Sequence, residues 1–261
     1  MPSVPLIEFD NLTIIRGATR ALDGLTLAIG VGEHVAILGP NGSGKSTLMK
    51  VMSRELYPVL KAEPWRLRIL GLDTWHLFDL RSLLGIVSND WMQFCTRHYS
   101  GFETVLSGFF GSVGIWPNYQ VTAEMERKTH EVLDLLEIAH LAERNVDEMS
   151  SGEARRILIG RALVHDPKAL VLDEPTASLD LHATHELREI LRKLARGGIS
   201  IILVTHHLPD IIPEIERVVL LKNGRVYRDG PKHEVLTADN LAELFRTPVD
   251  VLERGGYYNA W

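Results

Sequence analysis

The sequence of 261 residues contains a single cysteine, Cys95, and no apolar run that approaches the roughly 18 residues needed to span a bilayer. One thiol cannot build an internal disulfide framework, and no Cys/His spacing typical of a metal site occurs. The first residues lack the basic and apolar segments of a secretory signal. We therefore expect a cytoplasmic protein that has no membrane span of its own and meets a membrane only through a partner.

The chain also lacks an excess of positive charge, internal repeats and low-complexity tracts. Its formal net charge is −6, which argues against the broad basic surface that binds a nucleic-acid backbone. Hydrophobic residues make up 45% of the chain, which is enough for a core that folds without disulfides or a structural metal. The composition predicts a globular protein and ranks nucleic acid low among its partners.

Short apolar runs in the first part of the chain predict β-strands. Runs at 6–9, 25–29 and 34–38 are separated by glycine-containing turns, which is typical of an antiparallel region that leads into a buried strand. Helical patterns follow at 45–55 and at 122–137. The second pattern lies in a long stretch that has lost the strand signal.

The last third of the chain carries two further signals. Apolar runs at 169–172 and 199–204 flank a helical pattern at 183–196, and strand, helix and strand in this order predict a parallel βαβ unit. The pattern places four apolar positions on one helix face, at Leu187, Ile190, Leu191 and Leu194. Asn223-Gly224 between two apolar runs predicts a β-hairpin, because this pair favours a type I′ turn.

The stretch GPNGSGKST at 39–47 matches the phosphate-binding pattern G-x-x-x-x-G-K-[ST] between a predicted strand and a predicted helix. Its glycines let successive backbone N–H groups point at phosphate oxygens, with the positive end of a helix dipole behind them. We expect Lys45 to reach the β and γ phosphates and Ser46 to hold Mg²⁺. The predicted nucleotide-binding residues are Gly39, Pro40, Asn41, Gly42, Ser43, Gly44, Lys45, Ser46 and Thr47.

The stretch ALVLDEP at 169–175 supplies the acidic groups that hydrolysis beside a metal requires. Asp173 ends the predicted strand and suits the Mg²⁺ shell, and Glu174 follows it, where a carboxylate can orient an attacking water. A strand that ends in an acidic turn is common by itself. Combined with the phosphate loop, it predicts hydrolysis of a nucleoside triphosphate.

Together these residues resemble the ATP-binding cassette (ABC) ATPase family from about residue 6 to about residue 230. Where the family keeps the signature Leu-Ser-Gly-Gly-Gln, this chain has Met149-Ser150-Ser151-Gly152-Glu153, with three substitutions. Ala177-Ser178-Leu179-Asp180 is similar to the family's D-loop, and Thr205-His206 to its switch histidine.

The resemblance implies an α/β fold, namely a P-loop NTPase core with a parallel central sheet, an N-terminal antiparallel β subdomain and an inserted helical subdomain. It predicts one ABC ATPase domain over 1–261. Within it, the core covers about 1–90 and 166–230, the helical subdomain about 91–165 and a C-terminal extension 231–261. The implied cofactors are ATP and Mg²⁺.

In the family, two cassettes face head to tail, so that each ATP lies between the phosphate loop of one chain and the signature of the other. The implied signature contacts in trans are Ser150, Ser151, Gly152 and Glu153. Small residues at a helix start suit an anion, and we expect Ser150 to contact the γ-phosphate. Glu153 stands where glutamine is usual, so it weakens this pairing modestly unless it points away, towards Arg155 or Arg156.

Matching positions imply that Glu174 is the general base or water-positioning residue, that His206 contacts the γ-phosphate and that Asp180 belongs to the D-loop. The family's Q-loop glutamine, which touches the metal and the transmembrane partner, corresponds to Asn89 in Ser88-Asn89-Asp90. Because asparagine is one methylene shorter, this substitution puts the metal contact and the coupling to a partner in question.

Aromatic residues concentrate just after the Q-loop position. Eight of the 18 lie within 29 positions, namely Trp91, Phe94, Tyr99, Phe102, Phe109, Phe110, Trp116 and Tyr119. Two interpretations stand side by side: a groove that accepts a helix of another protein, or the core of a small helical subdomain. The stretch at 104–114 and the tail at 230–237 resemble the ATPases of bacterial iron-chelate, metal and molybdate-related importers.

These features predict the ATP-hydrolysing subunit of a membrane transporter. It works as a homodimer or cassette dimer on separate transmembrane subunits, at the inner face of the cell membrane. The alternative from another class is a soluble ABC ATPase in DNA repair or on ribosomes, without a membrane partner. A small-molecule kinase would have no use for the signature, and an ATP-gated protein without turnover would not need Glu174.

Overall fold

The structure is a computed structural model that describes residues 4–59, 64–88 and 98–261. The chain divides into two compact units, of which the first comprises Met1–Leu77 and Ser200–Trp261 and the second Phe78–Ile199. The boundaries at 91 and 165 that the sequence suggests for a helical subdomain stay a prediction.

In chain order the strands are β1 (Ile7–Arg16), β2 (Thr19–Ile29), β3 (Val35–Leu38), β4 (Arg66–Ile69), β5 (Leu84–Val87), β6 (Ala169–Asp173), β7 (Ser200–Thr205), β8 (Arg217–Lys222), β9 (Arg225–Pro231), β10 (Val251–Arg254) and β11 (Tyr257–Ala260). The α-helices are α1 (Lys45–Met52), α2 (Leu77–Leu83), α3 (Gly101–Leu106), α4 (Ala123–Leu135), α5 (Ser151–Leu163), α6 (Leu181–Arg196), α7 (Lys232–Val235) and α8 (Ala238–Phe245). Single 3-10 turns occupy Ser107–Phe110, Ala139–Leu141, Val146–Glu148 and Leu208–Asp210.

The first unit contains an antiparallel sheet in the order β2-β1-β4. It includes the predicted strands at 6–9 and 25–29, and the predicted antiparallel region is confirmed. The composition of Asp23-Gly24 suggested a turn that ends a strand, but the structure has no strand end there. The pair lies within β2 beside register shifts in the pairing with β1, and the Gly24 N–H donates to Thr13 Oγ1 at 3.0 Å. A bulge of this kind lets a strand bend without ending.

A second sheet of the first unit runs in the order β7-β3-β8-β9. The first three strands are parallel, and β9 returns antiparallel to β8. Every residue of β3 and of β7 is buried, as expected for strands that are covered on both faces. The predicted hairpin is confirmed, because Asn223 and Gly224 both have positive φ, at 52° and 76°.

Helix α1 begins at Lys45, within the phosphate-loop stretch at 39–47, and ends at Met52, three residues before the end of the predicted pattern. The tail of the chain forms α7, α8 and the β10–β11 hairpin. The hairpin was missed in the sequence, although its turn residues Gly255 and Gly256 carry a signal. Both have positive φ, at 63° and 82°, which is the conformation that glycine adopts at little cost.

The second unit combines the parallel pair β5–β6 with helices α3 to α6. Helix α5 is buried on most sides, at Ala154, Arg155, Ile157, Leu158, Ile159, Gly160 and Leu163. A Cβ at Gly160 would approach Val105 Cγ2 to 3.1 Å, so glycine allows close packing there. The predicted apolar face of α6 is confirmed, since Leu187, Ile190, Leu191 and Leu194 are buried.

The helices of the described ranges were compared with the length and hydropathy that a bilayer span requires. None of them is long and apolar enough to cross a membrane.

Three backbone segments of the first unit meet at the phosphate loop. Gly224, in the β8–β9 turn, donates its N–H to the Ser43 carbonyl at 2.9 Å and accepts from the Asp23 N–H at 3.0 Å. A Cβ at Gly224 would lie 2.7 Å from the Ala21 carbonyl oxygen and 3.0 Å from Leu22 Cα. Because these neighbours are backbone atoms, a side chain at Gly224 would force segments apart.

We expect Gly224→Ala to lower the free energy of unfolding by about 2–4 kcal/mol, from the positive φ and the backbone collision together. Gly17→Ala is the matched control, because Gly17 has φ +59° but nothing within 4 Å of a Cβ. It should lose only about 1 kcal/mol. Urea unfolding of both variants measures the difference, and equal losses would contradict the role assigned to backbone contact at Gly224.

Candidate functional site

The phosphate loop of the first unit owes its shape to close backbone approach. A Cβ at Gly39 would lie 2.4 Å from the Leu221 carbonyl oxygen, and one at Gly44 would lie 2.5 Å from the Ala21 carbonyl oxygen. Gly42 has φ +79° and open space where a side chain would point. The glycines therefore serve two purposes: Gly39 and Gly44 let other strands come close, and Gly42 supplies a positive φ beside open space.

The polar groups of the loop fit a phosphate. Lys45 is 6% exposed, and its ammonium donates to the Gly39 and Pro40 carbonyls at 2.7 and 3.1 Å. Ser43 Oγ is buried without a hydrogen-bond partner among the described residues. Burial of a hydroxyl that makes no hydrogen bond is costly, and an anion in the loop can relieve that cost. Ser46 is exposed, whereas Thr47 is buried.

The first turn of α1 is open to an anion. Gly44 is its N-cap residue, no side chain caps the helix, and no acidic residue lies in its first turn. The first N–H groups of a helix lack partners within the helix and carry a partial positive charge. The first turn of α1 carries no carboxylate that would compete for them, so this helix start suits an anionic ligand such as a phosphate.

In the second unit, β6 ends at the two predicted acidic residues. Asp173 and Glu174 are both half-buried. Glu174 has φ +47°, and its carbonyl accepts from the Ala177 N–H at 3.1 Å in a turn. A positive φ in a glutamate is strained, and strain of this kind concentrates at functional sites. The surrounding structure thus holds the backbone of Glu174 in a strained conformation.

Arg155, which the sequence suggested only as a partner of Glu153, lies near Asp173. It is 3% exposed on α5, and burial lowers the pKa of its guanidinium while the Asp173 carboxylate acts in the opposite direction. A buried arginine is favourable only with nearby negative charge and hydrogen bonds. Its sequence signal is an arginine in a helix that is apolar on most sides.

The signature residues begin helix α5. Ser150 is the N-cap, its Oγ accepts from the Glu153 N–H at 3.3 Å, and the Glu153 carboxylate accepts from the Ser150 N–H at 2.8 Å. This reciprocal pair is a capping box. Ser150 and Ser151 are exposed, whereas Gly152 is buried, and a Cβ there would lie 2.8 Å from Ala183 Cβ. Glycine at 152 is therefore required by packing of α5 against α6 within the chain.

The Glu153 side chain turns back onto its own helix start. Its ion pair is with Arg144, whose Nη1 lies 3.7 Å from Glu153 Oε1. The expected partners Arg155 and Arg156 are engaged elsewhere, since Arg156 pairs with Glu186 at 3.5 Å. The pKa of Glu153 is lowered, first by the Ser150 N–H and then by the charges of Arg144 and Arg156, so the carboxylate is ionised at neutral pH.

The D-loop residues of the same unit contact the signature. Asp180 caps helix α6, because its Oδ1 accepts from the Ala183 N–H at 2.8 Å. Ser178 has φ +65°, and its carbonyl lies 3.4 Å from Ser151 Oγ. Among the described residues, the Ser151 hydrogen bond links the D-loop to the start of α5, and Gly152 packs close to Ala183 in the first turn of α6.

In the first unit, His206 follows β7 and is half-buried. Its neighbours are fixed by a small hydrogen-bond network in which Thr205 Oγ1 donates to Asp210 Oδ2 at 2.9 Å and accepts from the His207 N–H at 3.0 Å. Thr205 is fully buried, so the backbone that carries His206 is held rigidly at the end of its strand.

The predicted site residues thus fall into two groups. The first unit brings together the phosphate loop, and it also carries His206. The second unit brings together the signature and Asp180, and it carries Asp173 and Glu174 at the end of β6. Asn89, the predicted Q-loop position, lies outside the described residues.

The described aromatic residues that follow pack against one another and against histidines. Phe110 stacks on Tyr119 with ring centroids 4.4 Å apart, and Phe102 contacts His130 at 4.8 Å. Trp116 differs, because it is 55% exposed. The other five described members of the cluster are half-buried, so these rings contact one another near the surface and none of the six belongs to the buried core, while Trp91 and Phe94 lie outside the described residues.

The chain was compared with known proteins. The family model described as ABC transporter matches residues 22–177. The sulfate/thiosulfate import ATP-binding protein of Methylococcus capsulatus is 35% identical over 88% of this chain. The matched region covers 64% of the length of that protein. The hemin import ATP-binding protein of Bradyrhizobium diazoefficiens is 34% identical over 96% of this chain and 92% of its own length.

Solved structures give the same result. The protein cbiO1 of Clostridium perfringens, part of the ABC transporter complex cbiONQ, has a TM-score of 0.76 at 30% identity, over 92% of this chain and 93% of its own. A dimeric ATP-binding cassette bound to ADP and Pi has a TM-score of 0.71 at 25% identity, over 86% of this chain and 98% of its own. This chain therefore belongs to the ABC transporter family, as an ATP-binding subunit with the ATPase fold and activity of that family.

Proposed function

We propose that the chain drives import across a membrane, as one of a pair of ATP-hydrolysing cassettes on the inner face of separate transmembrane subunits. The observation that carries the paired arrangement is the exposed start of helix α5. Ser150 and Ser151 are exposed there, outside the unit that holds the phosphate loop. Two relatives are named import ATP-binding proteins, and a related cassette is dimeric, which supports both parts of the proposal.

Within each cassette, the phosphate loop holds the β and γ phosphates of ATP. Its N–H groups and Lys45 donate to phosphate oxygens, and the buried Ser43 hydroxyl is a further donor. Ser46 and Asp173 would hold Mg²⁺, because a hydroxyl and a carboxylate are the hard oxygen ligands that this ion prefers. When bound, the ion neutralises charge that develops on the phosphates.

We assign hydrolysis to Glu174 and His206, which follow the buried strands β6 and β7. Glu174 orients the attacking water as general base, and His206 contacts the γ-phosphate. The partner chain closes the site with Ser150, Ser151, Gly152 and Glu153, and Asp180 of the D-loop lies beside this contact. The α5 dipole stabilises the triphosphate, because its positive end faces the anion.

The proposal does not extend to a cargo, because the two named relatives carry different ones, hemin and sulfate or thiosulfate. The alternative of a soluble ABC ATPase depends on the departure at Asn89, a residue outside the described ranges. The import names of the relatives favour the transporter.

Glu174→Gln should abolish turnover while ATP still binds and drives pairing. Loss of the carboxylate removes water activation, which is worth about 100-fold or more in rate. Phosphate release measures hydrolysis, and sedimentation with and without ATP measures pairing. Glu189→Gln is the control, since Glu189 is an exposed carboxylate of the same unit that pairs with Arg192. Normal turnover in Glu174→Gln would refute the assigned role, and a protein that stays monomeric with ATP would refute the paired arrangement.

Lys45→Ala should weaken ATP binding by about 100-fold or more, because several charge-assisted hydrogen bonds to the phosphates are lost together. Lys50→Ala, on the same helix but in its last turn, should bind ATP like the parent protein. Calorimetric titration of both variants with ATP provides the comparison. Equal affinities would count against the phosphate loop as the nucleotide site.

Ser150→Ala can be compared with a close internal control. Ser100 caps helix α3 with the same kind of capping box, to Glu103. Each alanine substitution should cost about 1 kcal/mol of stability by loss of the cap. Only Ser150→Ala should also reduce ATP hydrolysis, because only Ser150 is proposed to contact the γ-phosphate of the partner's ATP. If the two variants lose activity equally in steady-state assays, capping alone explains Ser150.

A further inference from the structure

The start of helix α5 carries a negative charge of its own. The Glu153 carboxylate accepts from the Ser150 N–H at 2.8 Å, and its side chain is only 21% exposed. A carboxylate in this position stabilises the helix. The same positive end is proposed to receive a triphosphate, however, and two anions at one helix start repel each other.

Arg144 is the cation that faces this carboxylate. It follows the turn Ala139–Leu141, and its Nη1 lies 3.7 Å from Glu153 Oε1. Its Nη2 donates to the Glu148 carbonyl, which lies in the segment between Arg144 and the signature. The guanidinium is therefore held by two contacts, one to a charge and one to the backbone, on the N-terminal side of Ser150.

The other nearby arginines are committed to different carboxylates. Arg156 pairs with Glu186 at 3.5 Å, although its charge also reaches Glu153. Arg155 is buried at 3% exposure near Asp173. Arg144 makes the direct ion pair with Glu153, and its side chain is 45% exposed at the surface where the signature begins.

We propose that Arg144 is a positioning residue of the signature, which offsets the Glu153 charge and holds its carboxylate back on the Ser150 N–H so that the helix start accepts a triphosphate. This inference rests on the proposed pairing of two cassettes around ATP. It explains how a signature with glutamate in place of glutamine remains compatible with an anionic ligand. Arg144 itself does not touch the nucleotide; it acts through Glu153.

The test uses the turnover-blocked Glu174→Gln protein as the parent and measures its ATP-driven pairing by sedimentation. Adding Arg144→Gln removes the positive charge but leaves a side-chain amide that can still donate to the Glu148 carbonyl. We expect the pairing affinity with ATP to fall roughly tenfold, since an uncompensated carboxylate then faces the triphosphate. Adding Glu153→Gln to that variant should restore pairing to within about twofold of the parent, because a glutamine keeps the capping box without the charge.

The matched control is Arg127→Ala. Arg127 is also an exposed arginine of the second unit with carboxylate partners, Glu124 and Glu131, but these partners lie on its own helix α4 and not in the signature. It should leave pairing unchanged. Thermal unfolding without nucleotide confirms that each variant folds. If Arg144→Gln does not fold, two separate variants of the parent are tested in its place, Arg144→Lys and Glu153→Gln. Each is expected to pair at least as tightly as the parent.

Two results would overturn the inference while the proposed function stands. One is parent-like pairing in Arg144→Gln, and the other is a defect that Glu153→Gln does not repair, which would show that Arg144 acts independently of the Glu153 charge. Weaker pairing of Glu153→Gln than of the parent would also contradict it. A parent that does not pair with ATP at all overturns the proposed function, and the role of Arg144 with it.

Discussion

The Ala21 carbonyl oxygen occupies the space that a side chain at either of two glycines would need. A Cβ would approach it to 2.5 Å from Gly44 and to 2.7 Å from Gly224. This contact joins β2, the β8–β9 turn and the phosphate loop, three segments that are far apart in sequence. The orientation of the loop's N–H groups depends on it, because a side chain at Gly44 or Gly224 would push the loop away from β2.

The two helix starts of the candidate site use the same electrostatics in opposite ways. Helix α1, with Gly44 as its N-cap residue, has no side-chain cap and no acidic residue in its first turn, so its start suits an anionic ligand. Helix α5 begins at Ser150 with a full capping box and an ionised Glu153. A helix that is already capped is a weaker anion site, and the nearby Arg144 is the feature that offsets this.

Much of the fold and many site residues could be predicted because their signals are local. The loop at 39–47, the acidic end of β6 and the Asn223-Gly224 turn each depend on residue types at fixed spacing. The partner of Glu153 could not be predicted in this way. The sequence suggested the neighbouring Arg155 or Arg156, whereas Arg144 reaches Glu153 from a segment outside the helix. The prediction of a turn at Asp23-Gly24 was wrong for a related reason. A pair of residues that favours a turn can also form a bulge, and it does so here because β1 pairs with β2 on both sides of it.

The sequence by itself determined the family, the nucleotide chemistry and many of the strands and helices, because each follows from short motifs and from periodicity along the chain. Only the tertiary structure decided why Gly152 and Gly224 must be glycine, where Arg155 is buried and which arginine faces Glu153. Those properties depend on which atoms of distant segments come within a few ångströms of each other, and no local pattern encodes such distances.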